Sequence, residues 1–156
     1  MPIHALSLTH SWAISDAAQH VPVGALLSAS GEDEAQACAI EPATMPDVGL
    51  WRCDLRDERL TWTSSVYALF GLPREEALRR SLIVSLYEEP SRAAMEQLRA
   101  HAIRHRRGFT LDALIRRPDG DRRWMRLCAL PIIEDRKVVR LCGTKKDVTA
   151  EYDGTG

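Results

Sequence analysis

Apolar and polar residues follow one another along the second two thirds of the chain in patterns that predict strands and helices. Two β-type runs, at residues 48–55 and 60–63, are separated by the polar segment 56–59, which is typical of a β-hairpin. Two short helices are predicted next, at residues 66–70 and 74–82.

A longer helix is predicted at residues 90–105, because Pro90 suits the first turn of a helix. Glycines are expected to end two of the helices: Gly71 closes the helix at 66–70, and Gly108 closes the long one. The apolar residues of the long helix recur at helical spacing: Ala94, Met95, Leu98 and Ala102.

Three strands are predicted after the long helix. Residues 109–115 alternate between apolar and polar positions, as a strand with one buried face does. A Pro-Asp-Gly turn leads into a returning strand at 123–130, which Pro131 is expected to end, and a last strand covers 138–144. The order of elements predicts an α+β fold, with a five-stranded antiparallel sheet and helices on one face.

Composition narrows the class of protein. The chain has 156 residues, 45% of them hydrophobic, which is enough for one domain with a buried core. No apolar run is long enough for a membrane span, and the segment before Arg52 has no Lys or Arg, so it lacks the basic n-region of a secretory signal. The 4 cysteines lack CxxC spacing, so reduced thiols in a cytoplasmic protein are expected.

Charge divides the chain into parts. All 21 Lys and Arg residues lie from Arg52 onward, whereas the segment before it carries only acidic charges. We therefore expect an acidic, partly helical extension at 1–47, a domain at 48–150 and a tail at 151–156. The extension either folds back across the basic domain or presents a surface to a partner, and the sequence leaves both open.

Six short pieces, in order along residues 48–150, resemble a PAS domain with a PAC-type C-terminal motif. They are Gly49-Leu-Trp51, Leu60-Thr-Trp62-Thr-Ser, Val66-Tyr67-x-x-Phe70-Gly71-Leu72, Glu89-Pro90-Ser91-Arg92, Arg116-Arg-Pro-Asp-Gly120 with Arg123-Trp124, and Gly143-Thr-Lys-Lys-Asp147-Val-Thr149. One piece departs from the family, which often has Pro-Glu-Asp-Arg or Pro-Asp-Asp-Arg where this chain has Glu89-Pro90-Ser91-Arg92.

The resemblance implies a non-catalytic sensory and protein-interaction module of bacterial signal transduction. Such a module relays a signal to a partner such as a histidine kinase, and the implied relay residues are Asp147 and Thr149. The hydroxyl of Thr149 is expected to cap the helix that follows. No catalytic triad, phosphate loop or paired carboxylates can be assembled, so no enzyme is expected. The chain is either a single-domain protein that acts through partners or a piece of a larger sensor.

The resemblance also implies a ligand cavity, whose occupant the sequence leaves unidentified. The expected lining residues are Leu69, Met95, Leu98, Leu127 and Leu141. No tightly bound cofactor is expected. The alternative is a haem- or flavin-loaded domain of a larger histidine kinase or cyclic-dinucleotide enzyme. Against it, Met95 stands where haem-binding relatives have a histidine, and residues 73–86 lack the cysteine of flavin photoreceptors.

Metal and nucleic acid are not expected as ligands. His101 and His105 have helical i, i+4 spacing, but Ala102 stands where a metalloprotease has its catalytic glutamate, and no third ligand is evident. The arginines near the strand ends lack the interleaved aromatic residues of a nucleic-acid surface.

A homodimer is expected, because PAS domains usually pair through the outer face of the sheet and a helix that precedes the domain. The candidate interface residues are Trp12, Leu26, Leu27, Trp51, Trp62 and Trp124. The competing arrangement is a monomer in which the extension 1–47 caps its own sheet.

Overall fold

The computed structural model describes residues 10–21 and 48–152. Its strands are β1 (Ser11–Trp12), β2 (Val48–Asp54), β3 (Arg59–Trp62), β4 (Gly108–Arg116), β5 (Arg122–Glu134) and β6 (Lys137–Asp147). Its helices are α1 (Ser64–Phe70), α2 (Arg80–Ser85), α3 (Glu89–His105) and α4 (Thr149–Tyr152), and a 3-10 helix covers Ile14–Gln19. The strands form one antiparallel sheet in the order β1-β4-β5-β6-β2-β3.

The main core lies between the inner face of this sheet and helices α1, α2 and α3. Alternate residues of each strand point into it, as the period of two requires. The largest fully buried side chains of the described residues are Trp62, Phe70, Leu98, Ile115, Met125 and Leu141. The predicted α+β class and the antiparallel sheet are therefore confirmed.

The outer face of the sheet is covered in part by residues 10–21 of the same chain. Strand β1 pairs with the start of β4, so the sheet has six strands where five were expected. A second apolar cluster forms there from Trp12, Ala17, Val21, Leu50, Cys128, Leu130 and Cys142. The first part of the extension thus caps its own sheet.

Trp12 is the central contact of this cap. Its indole Nε1 donates a hydrogen bond to Thr110 Oγ1 at 3.0 Å, and its ring stacks on His20 with centroids 4.5 Å apart. The ring lies directly over Gly108, where a Cβ atom would come within 2.2 Å of it. Gly108 is therefore required by the close approach of Trp12.

Two predicted boundaries and one predicted cap are wrong. The second short helix begins at Arg80 and not at residue 74, and its residue Ile83 is only 4% exposed. Helix α3 ends at His105, as expected, but the left-handed residue that follows it is Arg106, with φ of 55°, and not Gly108. Strand β5 continues through Pro131, which pairs with β6 beyond the last residue that pairs with β4.

Candidate functional site

A cavity of about 60 Å³ lies between the inner face of the sheet and helices α2 and α3. Most of its wall is apolar or aromatic, and the strands β2, β5 and β6 supply one side of it. The lining residues are Trp51, Cys53, Leu60, Arg80, Ile83, Val84, Tyr87, Met95, Arg99, Phe109, Leu127, Leu141 and Lys145.

Three of the five expected lining residues reach this cavity. Met95, Leu127 and Leu141 line it. Leu98 is 1% exposed and belongs to the core without lining the cavity, and Leu69 instead lines a shallow surface hollow nearby. The sequence analysis missed the polar residues of the wall, of which Lys145 is the most unusual.

Lys145 is a buried cation without a carboxylate partner among the described residues. It lies on β6 at 6% exposure, with its ammonium 4.9 Å from the ring centroid of Phe70, 5.1 Å from that of Trp62 and 5.3 Å from that of Trp51. These distances are within the range of cation–π attraction. Burial lowers the pKa of the Lys145 ammonium from 10.5 to about 7.

The sequence held a signal for this inward lysine. Strand β6 has period two, and Lys145 follows Leu141 and Gly143 on the same face. The two consecutive lysines necessarily point to opposite faces, so one of the pair had to enter the core. Lys146 is the exposed one.

The other charges of the cavity wall are compensated. Arg80 forms an ion pair with Glu96, and Arg99 lies 3.8 Å from Glu58. Burial raises the pKa of the Cys53 thiol, which keeps that group protonated and neutral. Within the part of the chain that the structure describes, one uncompensated positive charge therefore remains at the wall, that of the Lys145 ammonium.

The wall region also holds a hydrogen-bond donor without a partner in the described part of the chain. The indole Nε1 of Trp62 is fully buried and donates to no group there. Trp62 is one of the three rings around Lys145, although it does not line the cavity itself. A buried donor of this kind is normally paired with an acceptor.

The expected relay residues meet at the end of β6. The backbone N–H of Thr149 donates to Asp147 Oδ1 at 2.9 Å, so the aspartate caps helix α4. The Thr149 hydroxyl was expected to be this cap. It instead accepts a hydrogen bond from the backbone N–H of Trp124 at 2.9 Å and donates to Asp147, which ties α4 to strand β5.

Helix α4 is held on the outer face of the sheet by a second set of contacts. The ring of Tyr152 stacks on Trp124 at 4.3 Å, and its hydroxyl donates to Asp112 Oδ2. Arg126 donates to the same carboxylate at 2.8 Å. Burial alone would raise the pKa of Asp112, but the hydrogen bonds from Arg126 and Tyr152 lower it overall.

The tryptophans expected at a dimer interface lie in different places. Trp51 and Trp62 are buried on the inner face within their own core, so their assignment to an interface is wrong. Trp12 packs on the outer face of its own chain, and Trp124 is half-buried on that face beside α4. Leu26 and Leu27 lie outside the described residues.

Within residues 10–21 and 48–152, no group of three or more potential metal ligands comes together. The rings of His101 and His105 do lie near each other, with centroids 4.5 Å apart. In the same residues, no helix is both long and apolar enough to span a membrane.

Comparison with known sequences gives one family match. A family model described as PAS fold matches residues 59–145, which is more than half of the chain. Comparison with curated proteins gives no match.

Solved structures show the same fold. The N-terminal domain of a diguanylate cyclase with PAS/PAC sensor from Marinobacter aquaeolei aligns with a TM-score of 0.63 at 15% identity, over 67% of this chain and 98% of that one. A LOV domain of a blue-light activated histidine kinase from Erythrobacter litoralis EL346 aligns with a TM-score of 0.54 at 26% identity, over 65% and 95%. An RNA-binding light-oxygen-voltage receptor aligns with a TM-score of 0.60 at 13% identity, over 67% of this chain and only 30% of that one.

The residues of the cavity do not fit a haem or a flavin. A cavity of about 150 Å³ holds one benzene ring, whereas this cavity has about 60 Å³ and either cofactor has several fused or linked rings. No histidine of the described residues lines the wall, and Met95 stands at the position on α3 where haem-binding relatives have a histidine. Flavin photoreceptors carry a cysteine in the segment that corresponds to residues 73–86. The cysteine of this cavity wall, Cys53, lies on strand β2 instead.

Proposed function

This chain belongs to the PAS family, and we propose that it is a non-catalytic sensory module that relays the state of its cavity to a protein partner. PAS domains are generally sensory modules, and structures similar to this chain come from histidine kinases and diguanylate cyclases. We propose a cytoplasmic location and a partner of the histidine-kinase class.

The observation that carries this proposal is the connection between the cavity and helix α4. Lys145 lines the cavity, and Asp147, two residues further along β6, caps α4. A change in the position or charge of Lys145 is therefore passed to the end of β6, where Asp147 caps α4. The contacts at Trp124 tie the same helix to β5.

Replacing Asp147 with alanine tests the relay. Loss of a helix N-cap costs about 1 kcal/mol, so we expect hydrogen exchange at residues 148–152 to become about fivefold faster. Exchange in β4 is expected to stay unchanged, because the cap is local. The exposed neighbour gives the matched control Lys146→Ala. Equal exchange at 148–152 in the two variants would show that Asp147 does not hold α4.

Homodimerisation is the assembly that we propose for signalling. Ile14 and Tyr152 are large apolar residues that remain exposed near the outer face, at 38% and 46%, and a second copy can cover them. Sedimentation of the full chain at tens of micromolar is expected to show a dimer. A monomer at that concentration would contradict the proposed dimer. It would mean that residues 10–21 cover the sheet of their own chain without a second copy.

A second candidate function is a cofactor-loaded sensor, and the likeness to LOV domains favours it. In that case light or redox chemistry of a flavin or haem would supply the signal. The cavity would first have to open well beyond about 60 Å³. The absorption spectrum of the purified protein separates this candidate from the first.

A further inference from the structure

We propose that the cavity binds a small monocarboxylate, whose negative charge is neutralised by Lys145. The inference rests on the sensory function proposed above and specifies the chemical class of its ligand.

Charge sets the sign and valence of this ligand. The guanidinium groups of Arg80 and Arg99 already have Glu96 and Glu58 as partners, so among residues 10–21 and 48–152 Lys145 alone leaves one positive charge at the wall. A buried charge is costly unless it is paired. A monoanion neutralises the charge of Lys145. A dianion would leave one unpaired negative charge in an apolar cavity.

Size and wall chemistry set the rest of the ligand. A cavity of about 60 Å³ has room for a carboxylate group and only a few more non-hydrogen atoms. The apolar residues of the wall include Met95, Phe109, Leu127 and Leu141, which suit a short hydrocarbon chain. Acetate, propionate and similar acids match both properties.

Lys145 also lines a second hollow, which lies at the surface. This surface hollow is also lined by Ser65, Leu69, Arg117, Lys146 and Asp147. Lys145 therefore borders both the hollow and the cavity.

Propionate and propionamide test the proposal, because they have nearly the same shape and differ in charge. At about 100 times its dissociation constant, propionate is expected to raise the melting temperature of the wild-type chain by about 5 °C or more, relative to sodium chloride of equal ionic strength. Propionamide is expected to have no effect. In Lys145→Met the propionate shift should vanish, and in the matched control Lys146→Met it should persist.

The pH dependence provides a second test that needs no variant. The affinity for propionate should fall about tenfold for each pH unit above 7, because burial brings the pKa of Lys145 to about 7 and a neutral amine attracts the anion less. The titratable and charged groups around Lys145 are Cys53, Glu58, Arg80, Tyr87, Glu96, Arg99, Arg117, Lys146 and Asp147.

Three results would overturn the proposal: equal shifts with propionate and propionamide, an unchanged propionate shift in Lys145→Met, or no effect of acetate and propionate on the wild type. The failure of this ligand class is distinguishable from failure of the sensory function, because the hydrogen-exchange test of Asp147→Ala uses no ligand.

Discussion

Replacing Lys145 with methionine is expected to stabilise the unliganded protein by about 2 to 4 kcal/mol at pH 7. The downward shift of its pKa from 10.5 to about 7 corresponds to about 4 kcal/mol of burial cost at that pH. Attraction to the rings of Trp51, Trp62 and Phe70 offsets part of this cost. Methionine has a similar shape and carries no charge, so it removes the burial cost and keeps most of the packing.

The advantage of this variant should shrink as the pH rises. The unfolded chain protonates Lys145 up to a pH of about 10.5, whereas the folded chain does so only below about 7. Between these values the unfolded state binds more protons, so the free energy of unfolding of the wild type rises with pH. Cys53 and Cys142 have raised pKa values and act in the opposite direction, but both variants contain them.

Urea unfolding of wild type, Lys145→Met and Lys146→Met at pH 7 and pH 10 measures this effect. Lys146 is exposed on the same strand, and its replacement should change stability by less than about 0.5 kcal/mol. A Lys145→Met variant less stable than wild type at both pH values would show that the ammonium is already paired in the free protein.

Replacing Trp12 with alanine is expected to lower the free energy of unfolding by about 3 kcal/mol. Trp12 is 6% exposed, and the variant loses its packing in the outer apolar cluster and its hydrogen bond to Thr110. The absence of the ring also uncovers Gly108 and frees the edge of β4 with which β1 pairs.

Gln19→Ala is the matched control for this variant, because Gln19 lies in the same segment and is exposed. Its expected loss is below about 0.5 kcal/mol. Chemical unfolding of both variants gives the comparison. Equal small losses would mean that residues 10–21 do not contribute to the stability of the sheet in solution.

Much of the fold could be predicted from local sequence signals. The hairpin β2–β3 and the three long strands follow from their apolar patterns, and Gly71 ends α1 with a φ of 68° as a left-handed cap. The sixth strand could not be predicted, because β1 has only two residues. Its pairing depends on residues 98 and 96 positions further along the chain, Ser11 with Phe109 and Trp12 with Gly108.

The site was less predictable than the fold. Apolar periodicity finds Met95, Leu127 and Leu141, but it cannot tell a residue that lines a cavity from one that fills the core, as Leu98 does. Lys145 was overlooked because a lysine is expected at the surface. The strand period places it inside, and only tertiary contacts show that it lies among aromatic rings, with no carboxylate partner in the described residues.

The central claim is that this PAS domain senses a small ligand without a prosthetic group, and the most direct test combines absorption and native mass spectra of the freshly purified full chain. We expect no visible absorption and a mass equal to the polypeptide, alone or with a small acid bound. A visible band together with the added mass of a flavin or haem would contradict the account.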